Sequence, residues 1–518
     1  MAWARRGGCV QNSHFLPFLL PAIVLAACGE DREPTGPSHP SETGPTLSLA
    51  ASVKVVNSAA DPGDGICTAS QCTLREAIAD PVSTTITFAA GLTGPITLAS
   101  PANGGGSLVI LKGLTITGPS SRIVIRRAPS GPEFRILRTD SDVPVRLNNL
   151  VLRNGKTDKP GGGIVNFGAL VLTNCVVSGN SSGAHGGGID NHGPLTLVNT
   201  TVTNNSAPSS GGGGIDNHNQ PLTITRSSII ENSGSGINNR GGRLEITKSG
   251  ISNNSRSGIN QRFGRAILTQ VRIAGNSDGG MSNYGGAAIL RNSTVAFNSA
   301  SEGGGIQNSF NGDFTIEKSA IINNSASDRG GGIQSTSGDP FGRVSASVTV
   351  INSTISGNTA SIGGGIENSE DRGSASVDVI NSTIAGNSAS QEGGGVDNTI
   401  PLNEDAVSSI FLQNTIVARN TAPAAPDAHE AFATFSLIGD GTGSGIANGS
   451  GNQVGSHDSP IDPRIGPLAD NGGPTKTRAL LAGSPAIDAA AAAVCPATDQ
   501  RGVTRPQGAG CDIGSFEK

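Results

Sequence analysis

The sequence predicts an all-β solenoid of stacked coils with three short strands per coil. Three observations predict it: a repeat with a period in the twenties, apolar alternation within each period, and an asparagine that returns once per period. The opening apolar residue falls at Ile164, Ile189, Ile215, Ile237, Ile259, Met281, Ile306, Ile333, Ile366 and Val396, in steps of 25, 26, 22, 22, 22, 25, 27, 33 and 30 residues. Periods of this length mark solenoids. Pairs such as Leu170 and Leu172, or Leu222 and Ile224, alternate as strands do. Five residues beyond each pair comes a third aliphatic residue, and three after that an asparagine: Asn180, Asn205, Asn232, Asn254, Asn276, Asn298, Asn324, Asn358, Asn387 and Asn420.

Segments this short exclude amphipathic helices, which need ten or more periodic residues. Stacked coils about 4.8 Å apart turn the apolar positions into internal columns. The asparagine is expected at a left-handed turn, bonding to the turn above or below. Glycine before the first strand is expected to supply positive φ at a corner.

On these residues the chain resembles the right-handed parallel β-helix of the pectin-lyase-like superfamily from about residue 85 to 450. The hand comes from that resemblance, supported by the rule for parallel crossovers. A shared fold carries no activity by itself.

The N-terminus holds Arg5 and Arg6, an apolar run from Phe15 to Ala27, then Leu25-Ala26-Ala27-Cys28. Residues 1–28 read as a bacterial lipoprotein signal with lipobox Cys28, the alternative being an ordinary secretory signal. The resemblance to lipoproteins implies a lipid on Cys28, and Gly29 in place of Asp favours the outer membrane or cell surface. Residues 29–50, rich in Pro, Gly, Ser and Thr, read as a tether.

Residues 51–84 form an expected N-terminal cap. Thr73 and Glu76 have capping-box spacing, and Cys72-Thr73-Leu74-Arg75-Glu76-Ala77-Ile78 resembles the CSLREA motif of exported β-helix proteins. Residues 85–158 read as degenerate coils and 159–426 as regular ones. Within 427–518, the segments around Pro467–Thr475, Gly483–Asp488, Asp499–Gly502 and Asp512–Gly514 resemble the choice-of-anchor Q domain. Asp470, Asp488, Asp499 and Asp512 match no calcium-loop spacing and are read as turn and capping residues.

Exported chains hold disulfides, and Cys67 with Cys72 and Cys495 with Cys511 are candidate pairs. Cys175 shares its column with Thr200, Ser227 and Ser249 and reads as a buried space-filler. A net charge of −5 excludes a general nucleic-acid binder.

No catalytic set, metal-ligand spacing or cofactor motif emerges. A candidate outward patch comprises Asp190, His192, Asp216 and His218, repeated in two adjacent coils. An arginine band includes Arg226, Arg240, Arg256, Arg262 and Arg291, on short coils expected to lack walls for a cleft. With Trp3 as the sole Trp, sugar stacking loses its best platform. Insertions within 333–348, 366–377 and 396–410 form a candidate recognition ridge. The expected function is a lipid-anchored, non-catalytic surface protein that binds an extracellular glycan or a surface protein. The alternative is a polysaccharide lyase or glycoside hydrolase acting on an acidic glycan.

Overall fold

The computed structural model describes residues 52–208, 211–337, 344–369, 373–399 and 407–518. Cys28 and the tether lie outside them. The fold is a right-handed parallel β-helix. Sheet 1 collects the strands that open each coil, such as Ile164–Asn166 and Ile259–Arg262. Sheet 2 collects Leu170–Thr173 and its equivalents, and sheet 3 Val176–Ser178 and its equivalents. Among the described residues these sheets hold 13, 15 and 15 strands. Ile164 pairs with Ile189, Ile189 with Ile215, Leu170 with Leu195 and Val177 with Val202, so equivalent residues stack coil upon coil. Their inward side chains form one continuous core from Val56 to Ile438.

Three polar ladders run beside this core. Asn276 Nδ2 donates to Asn298 Oδ1 at 2.9 Å, while Asn276 Oδ1 accepts from Asn254 N at 3.1 Å and Asn254 Nδ2 at 2.9 Å. A second ladder links Asn166, Asn191, Asn217 and Asn239 by side-chain bonds of 2.6 Å. In the third, Cys175 N donates to Thr200 Oγ1, and Thr200 N to Ser227 Oγ. Cys175 is fully buried, and burial pushes its thiol up to about 11.

Several expectations need correction. The recurring asparagines are not left-handed; the residue before them is, as at Asn204, Asn253 and Asn323. The corner uses the preceding residue to turn, which frees the asparagine to enter the interior. The glycines before sheet 1 divide the work: the first of the run, such as Gly186, Gly303 or Gly330, takes the expected positive φ at the corner, whereas the last does not. A Cβ on Gly188 would lie 2.6 Å from Gly214 O, so close coil stacking demands glycine. Three strands per coil is also incomplete. A fourth parallel sheet joins Ser299–Glu302, Ser325–Arg329, Thr359–Ile362 and Ser388–Glu392 on the turn leading back to sheet 1, and in earlier coils the same turn pairs as the short strands Lys156–Thr157 and Ser181–Ser182. The insertions partly lengthen sheet 2, where Ser345–Ile351, Ser374–Ile380 and Val407–Gln413 are seven-residue strands. Their remainders, 338–343, 370–372 and 400–406, lie outside the described residues.

At the N-terminal end, the helix Leu74–Ala79 is capped by Thr73 and Glu76 and sets Leu74 and Ala77 on the first coils. Arg75 pairs with Asp61 through two bonds of 2.7 and 2.9 Å. Cys67 is bridged to Cys72, and Cys495 to Cys511. The C-terminal segment does more than close the end. It lies along the outer face of sheet 3, where Ile465, Leu480 and Ile513 cover Ala385, Ile416 and Leu437. Thr354 Oγ1 donates to Gln500 Oε1 at 2.7 Å. Asp470, Asp499 and Asp512 accept backbone N–H groups of Gly472, Val503 and Asp488. Arg505 and Glu517 form a 3.0 Å ion pair with no exposed side-chain surface.

Asn276→Ala is expected to orphan groups above and below it, costing roughly 1–3 kcal/mol for each, read as an earlier urea midpoint. An unchanged midpoint would show that the ladder is energetically idle. Arg505→Leu strands the Glu517 carboxylate and is expected to cost about 3–5 kcal/mol, read as loss of the tail's protection from protease while sheets 1 and 2 stay intact.

Candidate functional site

Side chains on sheet 1 alternate, so each strand sends two residues outward. The first outward column includes Val165, Asp190, Asp216, Asn238, Asn260, Ser282 and Gln307. Three residues after each opening aliphatic residue comes a second column: Phe167, His192, His218, Arg240, Arg262 and Tyr284. The stacking of coils turns ten scattered periods into two parallel lines of functional groups.

Asp190 and Asp216 do stand on the outward side, but the expected surface patch is not one. Both are fully buried, while His192 and His218 stay half-buried above them. The reason is local. Gly186, at φ +59°, folds the preceding turn so tightly that a Cβ there would lie 2.6 Å from the Asp190 Cα, and the imidazoles cover the rest. Asp190 binds His192 Nε2 at 2.8 Å through Oδ2 and His218 Nε2 at 2.9 Å through Oδ1. The two rings stack 4.2 Å apart at an interplanar angle of 7°. The Asp190 hydrogen bond holds His218 above its usual range, with the Asp216 charge adding to it against desolvation. Asp216 meets Arg240 Nη2 at 3.2 Å, Asn238 Nδ2 at 3.1 Å and His185 Nδ1 at 3.5 Å.

Beside this cluster lies a depression of about 390 Å³ whose lining includes Arg240, Arg256, Arg262, Asp278, Glu302 and Gln307. Its origin is coil length. From sheet 3 to the next strand of sheet 1 takes eight residues at Ile229 to Ile237, Ile251 to Ile259 and Ile273 to Met281, against eleven to thirteen elsewhere. The short coils do lack walls of their own, as expected, but they form the floor of a depression bounded by longer coils. Its ends are set by His185 and Gly211 on one side and the Ser299–Glu302 strand on the other.

The arginine band separates by position. Arg240, Arg256 and Arg262 line the depression, where Arg240 pairs with Asp216 and Arg256 with Asp278 at 3.2 Å, while Arg243 pairs with Glu245 and Arg291 with Glu317 on sheet 2. Aromatic rings stand in the column, although the sole tryptophan, Trp3, lies outside the described residues. Phe167 stacks on His192 and Arg138 lies over the Phe167 ring, both at 5.1 Å, and Tyr284 stacks on Phe310 at 4.6 Å. Aligning the position three after each opening aliphatic residue exposes this column in the sequence; the burial of the two aspartates has no such signal.

No protein-family model matches the chain, so the CSLREA and choice-of-anchor Q resemblances rest on the quoted residues alone. No characterised protein matches it at a significant level. Among solved structures, the A-module of mannuronan C-5 epimerase AlgE4 from Azotobacter vinelandii is similar at a TM-score of 0.40 and 13% identity, covering 72% of this chain and 91% of that one. Pectate lyase Pel9A gives 0.33 and 13%, covering 91% and 98%. The catalytic domain of a GH87 alpha-1,3-glucanase gives 0.32 and 14%, covering 76% and 69%. These are likenesses of fold at low identity.

Proposed function

We propose that sheet 1 binds an acidic polysaccharide along its outward columns and that the His192–His218 pair cleaves it by β-elimination. The observation that carries this reading is the placement, on one face of sheet 1, of two carboxylate-anchored imidazoles beside a depression lined by Arg240, Arg256 and Arg262. Guanidinium groups in a depression attract and neutralise uronate carboxylates, which acidifies the adjacent C5 proton. With Nε2–H donated to Asp190, the free lone pair of His192 is on Nδ1, and that atom takes the C5 proton. The C5–H electrons form a C4=C5 double bond, the C4–O bond breaks, and the departing oxygen receives the proton of the His218 imidazolium. Asp190 fixes both rings and offsets their charge. A hydrolase would need two carboxyl groups open to the substrate, and Asp190 and Asp216 are buried and engaged. The setting proposed is the cell envelope, with the chain held by a lipid on Cys28.

Incubating the mature protein with uronate polymers is expected to release unsaturated products absorbing in the near ultraviolet, and His192→Ala to slow this about 10²–10⁴-fold. Binding without any product would favour the adhesive reading, and new reducing ends without absorbance a hydrolase.

A second expectation concerns pH. His218 is raised in the folded state, so its ion pair stabilises fully below the unfolded value of about 6.5 and fades as pH rises through the raised value. Thermal midpoints of the wild type and His218→Gln should therefore differ most near pH 5.5 and converge towards pH 8.5. A constant gap would contradict the pairing.

A further inference from the structure

Farther along sheet 1, the first outward column turns acidic again. Glu367, Asp397 and His429 are successive partners in the ladder, and Glu392 stands beside them on the Ser388–Glu392 strand of the fourth sheet. His429 Nδ1 lies 2.8 Å from Asp397 Oδ1. One ligand atom each from Glu392, Asp397 and His429 lie within 4.8 Å of one another. Thr399 Oγ1 donates to Asp397 Oδ2 at 2.8 Å, which leaves Oδ1 turned to the imidazole.

Asp397 and Glu367 have no exposed surface. Adjacent buried carboxylates need compensating positive charge, and the protein supplies it only in part. Arg329 Nη1 reaches Glu367 Oε1 at 3.2 Å, while Glu367 Oε2 is buried with no hydrogen-bond partner.

We propose that Glu392, Asp397 and His429 bind a first-row divalent cation of the zinc type, with the orphaned Glu367 carboxylate behind them adding to the negative field. An imidazole nitrogen among carboxylates selects zinc or cobalt, whereas calcium and magnesium take oxygen ligands throughout. Three protein ligands leave a position open to water or a ligand. The site shares no residue with the His192–His218 pair, so it stands or falls separately from the reaction proposed above.

The test titrates the chelator-stripped mature protein with Zn²⁺ by calorimetry and with Co²⁺ by visible absorption. In the His192→Ala/His218→Ala double variant, which removes the other group of metal-ligating side chains (Asp190, His192, His218), one saturable site with a cobalt d–d band is expected to remain, weakened at least tenfold by adding Glu392→Gln or His429→Ala. Circular dichroism checks folding, and because Glu392 is half-buried, Glu392→Gln decides the matter if His429→Ala fails to fold. Absence of saturable binding, binding indifferent to Glu392→Gln, loss of the site in the double variant, or calcium bound more tightly than zinc would each overturn the proposal.

Discussion

A single coil of this protein cannot satisfy its own backbone. Every interior strand on sheets 1 to 3 takes its hydrogen bonds from the coil before and the coil after, as in the run from Ile189 through Ile215 to Ile237. Parallel stacking in strict register is thus the interaction on which everything else depends. It places each side chain directly over its counterpart, so any chemical property assigned to one position becomes a column. Inside, the columns are aliphatic and close into one core. At the corners they are asparagine, serine and threonine, whose side chains bridge backbone groups between coils where the strands break off.

The same geometry builds the two outward sites. Register brings His192 beside His218 although 26 residues separate them, and then adds Arg240 and Arg262 on the next two rungs. The cleft exists because three successive coils return to sheet 1 by a shorter path than their neighbours. In the coils beyond the cleft the longer return path pairs as a fourth sheet, and the strand bearing Glu392 brings that carboxylate beside Asp397 of the outward column. Variation in one connecting turn therefore decides where the surface of sheet 1 is open and where it is covered. This is the economy of a solenoid: the core stays constant while the loops on one side shape the binding surface.

The column that runs through His192, His218, Arg240 and Arg262 is legible in the sequence once the repeats are aligned, because a solenoid makes sequence position and spatial position nearly the same. Asp190 and Asp216 mark where legibility stops. Strand alternation correctly puts them on the outer side, but alternation does not report what lies above a side chain. The turn at Gly186 and the imidazoles remove them from water, and that changes them from candidate surface ligands into buried anchors. Glu367 and Asp397 show the same limit: they occupy the same repeat position as Asp190, yet their significance rests on an unsatisfied oxygen and on Glu392 arriving from another sheet.

From the sequence alone follow the coil, its three principal strands, the aliphatic columns and the recurring asparagines, because these depend on periodicity and on local chemistry that each repeat states anew. Tertiary structure alone decided which turn pairs as a fourth sheet, that the short coils form a floor, and that the tail lies along sheet 3. Those features depend on differences between neighbouring coils and on contacts between residues far apart in the chain, such as Gln500 with Thr354. Burial is a property of what covers a residue, and no repeat carries that information within itself.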